Sequence, residues 1–303
     1  MYVSTASAQA EAAKRLPVTV WREAEAGRVV EFCLPLAQGE LAGVNALRVV
    51  NDKGQELPLQ GRVLSSWPED KSLRVLWLSV LSDKEPFAVE YGKGTQRKAI
   101  ANAFAVEKQA NGVVVTNGSL RFRVSSTELK LLDQVWLDKN GDGKFTDDET
   151  MLSAPGATPV LATIEGKKFV PADAPEVVVE DSGPLYATVC VRGELVPQDK
   201  QKDAAPEDKF QVTYRIKAWA GSPALSVQHV LGRLGRRFAL KPPPDDKEQR
   251  REWSLLVPVR NYGFDLALKT AGKVDYAAGG DAKALDRGTL DGEKGRLLLA
   301  SGD

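Results

Sequence analysis

The stretch Asn117-Gly118-Ser119-Leu120-Arg121-Phe122-Arg123-Val124 decides the fold class. Asn-Gly favours the positive backbone angles of a tight hairpin turn. After it the residues alternate, with Leu120, Phe122 and Val124 on one side and Arg121 and Arg123 on the other. A period of two marks a half-buried strand, not a helix. A second turn signal, Asn111-Gly112, stands just upstream and leads into Val113-Val114-Val115-Thr116. Turn, strand, turn, strand is the grammar of antiparallel hairpins.

The same grammar extends in both directions. Upstream, strands are expected at 16–21, 29–34, 46–50, 56–60, 63–64, 73–80 and 87–91, with the turn cluster Asn51-Asp52-Lys53-Gly54 among them. Residues 73–80 are apolar on both alternating faces, which predicts a central strand. About six strands without a helix suffice for one small barrel or sandwich. Lys93-Gly94-Thr95-Gln96-Arg97-Lys98 reads as a polar connector. Downstream, strands are expected at 177–180, 185–195, 210–219, 224–231, 253–259 and 264–268, a spacing that suggests a β-sandwich. Helix is expected only at 8–15 and 246–251. Two charged inserts, 197–209 and 241–251, carry no packing surface; the second opens with Pro242-Pro243-Pro244 and reads as extended. The expectation is an all-β chain: a small amino-terminal β-barrel over 16–98, then a larger antiparallel β-sandwich over 99–303. Residues 1–15 are expected to be disordered or the remnant of a signal peptide.

Inside the second part lies Asp138-Lys139-Asn140-Gly141-Asp142-Gly143-Lys144-Phe145-Thr146-Asp147-Asp148-Glu149. It matches the calcium-loop pattern D-x-[DN]-x-[DN]-G-x5-E at every constrained position. Calcium takes about six to eight oxygens, here from the side chains at loop positions 1, 3, 5 and 12 and the backbone carbonyl at 7. Those are Asp138, Asn140, Asp142, Glu149 and Lys144, with Gly143 at the sharp turn of position 6. The flanks lack a helical period, so the loop reads as an isolated calcium site joining extended segments, not a paired EF-hand. The competing reading is a solvated Asp/Gly/Asn turn that binds nothing. The expected role of the ion is structural.

Composition narrows the remaining chemistry. The chain has 303 residues, 43% of them hydrophobic, with 41 basic against 41 acidic side chains. A zero balance gives no electrostatic pull toward nucleic acid or an anionic membrane. No run of about 18 apolar residues exists to span a bilayer as a helix. Ser4-Thr5-Ala6-Ser7-Ala8-Gln9-Ala10 resembles a signal-peptidase site without the regions that precede one. With the calcium loop, this leads to the expectation of a secreted, periplasmic or cell-surface protein. Cys33 and Cys190 each stand in an apolar strand-like run, as buried free thiols do; a bridge between them is not implied. No cysteine–histidine cluster could hold zinc, and no nucleotide-binding loop or nucleophile elbow is present.

His229 is the only histidine. It shares an apolar strand face with Leu225, Val227 and Leu231, so a buried, hydrogen-bonded role stands against a role in lining a cleft. Arg192 and Arg215 could grip a carboxylate in bidentate fashion or serve as inter-strand pairs. Trp21, Trp67, Trp136, Trp219 and Trp253 could stack on sugar rings or fill cores. Trp67, beside Pro68 at a turn, is the first choice for stacking.

Four segments together carry a family resemblance. They are Asp52-Lys53-Gly54-Gln55-Glu56-Leu57-Pro58-Leu59-Gln60, Trp67-Pro68 through Trp77-Leu78, Glu180-Asp181-Ser182-Gly183-Pro184 through Thr188-Val189, and Tyr214-Arg215 through Gln228-His229. In this order they resemble the exo-acting rhamnogalacturonan lyases of polysaccharide lyase family 26 and their uncharacterised bacterial relatives. The resemblance spans roughly residues 16–300. It implies a small barrel, a large β-sandwich and then an (α/α) toroid that carries most of the cleft. The sequence reaches Asp303 in what reads as a sandwich strand. The expectation is therefore a β portion whose toroid lies in a missing carboxy-terminal domain or a partner chain, inactive alone and with no catalytic residue to nominate. Its substrate class is a pectin-type polysaccharide. The alternative is a stand-alone glycan-binding or cell-surface scaffold module without enzymatic activity.

Overall fold

The computed structural model describes residues 13–19, 29–82, 86–100, 103–154, 156, 158–163, 166–200, 204–205, 209–233, 259–263, 267–269, 272–278 and 286–291. Among them every paired strand with a stated register is antiparallel and no α-helix occurs. The chain is all-β, as its alternating pattern requires. Its contacts divide it into two units, Met1–Phe104 with Asp181–Ala187, and Ala105–Glu180 with Thr188–Asp303.

The first unit holds β1 (Lys14–Val18), β2 (Val29–Pro35), β3 (Leu47–Asn51), β4 (Glu56–Leu57), β5 (Leu59–Ser66), β6 (Leu73–Leu81) and β7 (Phe87–Tyr91). They form two sheets, ordered β1-β7-β3-β4 and β2-β6-β5. Leu47, Val49 and Val89 of one sheet and Leu76, Leu78 and Val80 of the other join a single core. As expected, β6 is central in its sheet; Leu76, Leu78 and Val80 are fully buried on one face, while Val75 and Trp77 on the other are half-buried. Residues 56–60 are not one strand. Pro58 has no N–H to give a ladder, and the chain changes sheet there, β4 pairing with β3 and β5 with β6. The helix expected over 8–15 is overturned at its described end. Lys14 and Arg15 begin β1, where Lys14 binds Glu40 at 2.8 Å and Arg15 binds Glu90 at 3.1 Å. Residues 8–12 lie outside the described part.

Register places a polar row across the second sheet, because Glu31 and Gln60 both lie opposite Ser79. Ser79 donates to Glu31 at 3.0 Å. The Gln60 amide, buried, accepts the N–H groups of Leu185 and Tyr186 at 3.0 Å each and donates to the Tyr186 carbonyl at 3.1 Å. One side chain thereby satisfies three backbone groups at the turn Asp181–Ala187. Arg62, two residues on, reaches Asp181 at 3.3 Å. Gly183 is required beside this clamp, since a Cβ there would stand 2.5 Å from the Gln60 amide.

The second unit opens with β8 (Ala105–Gln109), β9 (Gly112–Thr116), β10 (Leu120–Ser125) and β11 (Gln134–Leu137), ordered β11-β10-β9-β8. Phe122 and Val124 are fully buried, as the alternation predicts. At Asn117-Gly118 the expected positive angle appears, with Gly118 at φ 89°. Gly112 serves a different purpose. It begins β9, and a Cβ there would lie 2.1 Å from the Val124 carbonyl oxygen, so close backbone approach is what demands glycine. Then come β12 (Val160–Thr163), β13 (Lys168–Pro171), β14 (Glu176–Ser182), β15 (Tyr186–Pro197), β16 (Phe210–Trp219), β17 (Leu225–Arg233) and β18 (Val259–Gly263). They form one sheet ordered β17-β16-β15-β13-β12-β18, with β14 paired to β15. A separate hairpin joins β19 (Lys273–Ala278) and β20 (Asp286–Asp291). Of the strands expected late in the chain, 253–258 and 264–266 lie outside the described residues, and β18 occupies the interval between them.

Gln60→Ala is expected to lower unfolding free energy by about 3 kcal/mol or more, because it orphans buried backbone groups. Gly183→Ala should destabilise by dislodging the same amide. Urea denaturation of both single variants and the double variant checks this. The shared mechanism requires the double to cost clearly less than the sum of the singles.

Candidate metal centre

The loop 138–149 follows strand β11 directly. It ends in one 3-10 turn, Asp147–Glu149, after which Thr150 bridges back to Trp136. Extended chain on one side and a single turn on the other replace the helix pair of an EF-hand. Gly141 and Gly143 take φ of 75° and 73°, angles that carry no steric cost for glycine. Space is open at both, so the backbone angle alone selects the residue there.

The loop's oxygens turn inward onto its own N–H groups. Asp138 accepts from the N–H groups of Gly141 at 2.7 Å and Gly143 at 2.9 Å, one on each carboxylate oxygen. Asn140 Oδ1 accepts from Asp142 N at 2.9 Å, and Asp142 Oδ1 from Lys144 N at 2.8 Å. These are local side-chain-to-backbone turns, for which Asp and Asn are suited. Glu149 closes the ring. Its Oε1 accepts from Lys139 N at 3.0 Å and its Oε2 from Thr146 N at 3.1 Å, the second contact being half of a capping box. Glu149 is buried, and the N–H bonds from Thr146 and then Lys139 hold its carboxyl below the usual carboxylate range against the opposing effects of burial and the Asp138 charge.

The donor chemistry fits a hard cation. Asp138, Asn140, Asp142 and Glu149 offer oxygen only, with the Lys144 carbonyl at the seventh position. A carboxylate or amide oxygen that accepts one N–H keeps a second lone pair. Convergence is less complete. Among the described residues no group of three or more His, Cys, Asp or Glu side chains gathers closely enough to hold a metal ion.

The other residues singled out in the sequence lie apart from the loop. The Arg215 Nε–H is shared between the two Glu180 carboxylate oxygens, at 2.8 and 3.2 Å, and Arg192 reaches both Glu180 and Glu176. Glu180 raises the Arg215 guanidinium above its ordinary range. Both arginines therefore act as inter-strand partners here. Arg192 also lines a cleft of about 290 Å³ with Asp173, Glu176, Glu194 and Gln211. Trp67 is half-buried, donates through Nε1 to the Leu36 carbonyl at 3.2 Å, and carries the Arg74 guanidinium over its ring at 4.8 Å. Trp136 and Trp219 are half-buried under Arg121 and Lys217. Trp21 and Trp253 lie outside the described residues. Cys33 is exposed, against the expectation of burial, because alternation along β2 turns Leu34 inward and Cys33 outward. Cys190 is buried and free, and burial pushes its thiol up. His229 meets Tyr262, a partner that sequence reading missed because β18 had no signal of its own.

No family model matches the chain, and no curated protein matches it. Among solved structures it is similar to a protein of glycosyl hydrolase family 38 from Enterococcus faecalis, with 14% identity and a TM-score of 0.42 over 73% of this chain and 31% of that one. It is also similar to an alpha-mannosidase from Enterococcus faecalis V583, with 15% identity and a TM-score of 0.40 over 72% of this chain and 29% of that one. The chain spans less than a third of the length of either structure. Scores this low carry no argument about site or substrate.

Glu149→Gln replaces one acceptor oxygen with an amide NH2 that faces a backbone N–H, so it is expected to lower the melting temperature at pH 7. The sign of its pH dependence follows from the depressed carboxyl. Its stabilisation is present above the ordinary value of 4.5 and is lost as pH falls through the lower folded value. The gap between parent and variant should therefore narrow on acidification, as thermal melts from pH 7 down to pH 3 would record.

Proposed function

We propose that the chain is a calcium-stabilised β portion of an exported, carbohydrate-active protein, structural or substrate-positioning in role. The observation that carries the calcium reading is the loop itself. Five oxygen donors stand at the required spacing, on a backbone whose glycines already adopt the left-handed turns. Asp138, Asn140, Asp142 and Glu149 would hold the ion through side chains and Lys144 through its carbonyl. A bound calcium supplies a fixed positive charge that draws these oxygens together. The chain's own contribution is the set of N–H bonds that orient each carboxylate beforehand, which reduces the ordering that binding must impose. Calcium would then link the end of β11 to the turn at Glu149 and stabilise the loop in place of apolar packing.

The carbohydrate part of the proposal rests on the sequence segments that resemble rhamnogalacturonan lyases. It assigns no catalytic residue. Export is supported by the small-residue segment at 4–10 and by the calcium loop, which suits a calcium-rich compartment.

Calcium is expected to raise the melting temperature, and a chelator to lower it again. Asp142→Ala should melt lower in calcium and show no calcium-dependent shift. Terbium luminescence sensitised by the protein should appear in the parent and vanish in Asp142→Ala. Equal melting in calcium and in chelator would refute a stabilising ion. For the glycan, native electrophoresis in gels containing rhamnogalacturonan should retard the chain without releasing unsaturated uronates. Release above a heat-inactivated control would establish an enzyme, and unretarded migration would remove the polysaccharide from the proposal.

A further inference from the structure

The chain contains three Asn-Gly pairs, at 111–112, 117–118 and 140–141. This dipeptide carries its own chemistry. The glycine nitrogen can attack the side-chain carbonyl carbon of the preceding asparagine, because no Cβ hinders the approach. Whether it does so depends on how the fold holds the two residues, and the three pairs are held differently. Asn117 is buried, and its amide is fully committed. Its Nδ2 donates to the carbonyls of Trp219 at 2.6 Å and Ser222 at 2.9 Å, and its Oδ1 accepts from the N–H groups of Ser119 at 3.1 Å and Leu120 at 2.7 Å. Asn111 is exposed, but the peptide it shares with Gly112 is held in place. The Asn111 carbonyl accepts from Ser126 N at 3.0 Å, and Gly112 opens β9 opposite Gln109, with no room for a Cβ beside the Val124 carbonyl.

The third pair differs on each point. Asn140 and Gly141 are both exposed, in a loop outside the strand ladders, and the space around Gly141 is open. The Gly141 N–H donates to Asp138 Oδ1, 2.7 Å away. An attacking nitrogen must lose that proton, so a carboxylate stands where a general base is needed. Asn140 Oδ1 accepts from Asp142 N at 2.9 Å. Negative charge develops on that oxygen when its carbon is attacked, and a backbone N–H already in place stabilises it. Residues 138–142 thus bring a nucleophile, an acceptor for its proton and an oxyanion donor to one asparagine side chain.

We propose that Asn140 is a self-modifying site, which closes on Gly141 to a succinimide and opens to aspartate and isoaspartate, with Asp138 as base and the Asp142 N–H as oxyanion donor. In the first step a bond forms from Gly141 N to Asn140 Cγ, and the displaced proton passes to Asp138. The Cγ–Nδ2 bond then breaks, and Nδ2 leaves as ammonia with the proton returned by Asp138. Water adds next, its hydroxyl to one ring carbonyl carbon and its hydrogen to the ring nitrogen. Cleavage at Cγ gives aspartate. Cleavage at the main-chain carbonyl gives isoaspartate, in which the backbone runs through Cβ and Cγ. No group is oxidised or reduced, and water is the only co-reactant. Either product adds one negative charge to the loop. Aspartate keeps the spacing of the oxygen donors, since the third position of the pattern accepts Asp as well as Asn. Isoaspartate lengthens the backbone at that point. The reaction uses only the chain's own residues and does not require the calcium reading.

The test incubates the full chain with a chelator, so that no divalent ion takes part, and follows deamidation of each Asn-Gly peptide by mass spectrometry after digestion. In urea the three pairs share one local chemistry and are expected to react at similar rates. In the folded chain Asn140 should react at least as fast as in urea. Asn117 and Asn111 should lag behind their urea rates by about tenfold or more, since each must first break native hydrogen bonds. Asp138→Ala should slow Asn140 several-fold in the folded chain and leave its rate in urea unchanged. An Asn140 slowed by folding as much as the other two would overturn the proposal, as would a folded Asp138→Ala chain that reacts as fast as the parent or faster. If Asp138→Ala fails to fold, the comparison of the three pairs within the parent chain, folded against urea, still decides the outcome.

Discussion

Everything in a strand-built chain depends on backbone groups finding partners where the ladders end. A helix satisfies its own backbone, whereas a sheet must pass the requirement from strand to strand and then around each turn. The Gln60 amide shows how the chain meets this requirement. At the tip Asp181–Ala187, the N–H groups of Leu185 and Tyr186 both donate to one side chain, which also gives the Tyr186 carbonyl a second donor beside the Gly183 N–H. Its position is not accidental. It continues the polar row begun by Glu31 and Ser79, which alternation sends to the face opposite the leucine and valine core. Gly183 completes the arrangement by leaving room for the amide. A small cross-strand pattern thereby fixes where a distant hairpin must turn.

The calcium-type loop obeys the same rule by other means. Its backbone N–H groups are satisfied by Asp138, Asn140, Asp142 and Glu149 in sequence, without any ladder. Six carboxylate or amide side chains stand in these twelve residues, and free carboxylates this close would repel or solvate separately. Four of them, Asp138, Asn140, Asp142 and Glu149, are instead held one by one against N–H dipoles. This explains why the loop can join a strand to a bare 3-10 turn, where an EF-hand uses two helices.

The limits of the sequence reading have physical causes. Alternation was sufficient for β10 and β16, where one face is core and the other solvent. Pattern also identified β6 as central, since only a strand covered on both sides can be apolar on both. It failed at Pro58, where one apolar run serves two sheets, because hydrophobicity does not record a change of partner. It misread Cys33 by assigning burial to a run instead of to a face. Gly112 was found for the wrong reason: its signal is a collision with the Val124 carbonyl, which only the fold reveals. The loop ligands were legible because oxygen donors at fixed intervals are a local property. Tyr262 was not, because its meaning depends on a histidine 33 residues earlier.

That last case bears on how the second unit is held together. An open sheet leaves its end strands with unpaired edges, and a barrel removes them by completing the ladder. Among the described residues β17 and β18 share no ladder. The last strand of the sheet approaches its first, but the join consists of aromatic hydroxyls and one imidazole in place of peptide groups. Peptide hydrogen bonds are indifferent to pH across the range in which proteins live, whereas an imidazole is not. The neighbouring pairs are laddered on either side of this contact, β16–β17 in unbroken register and β12–β18 with a shift between Ala162 and Thr163.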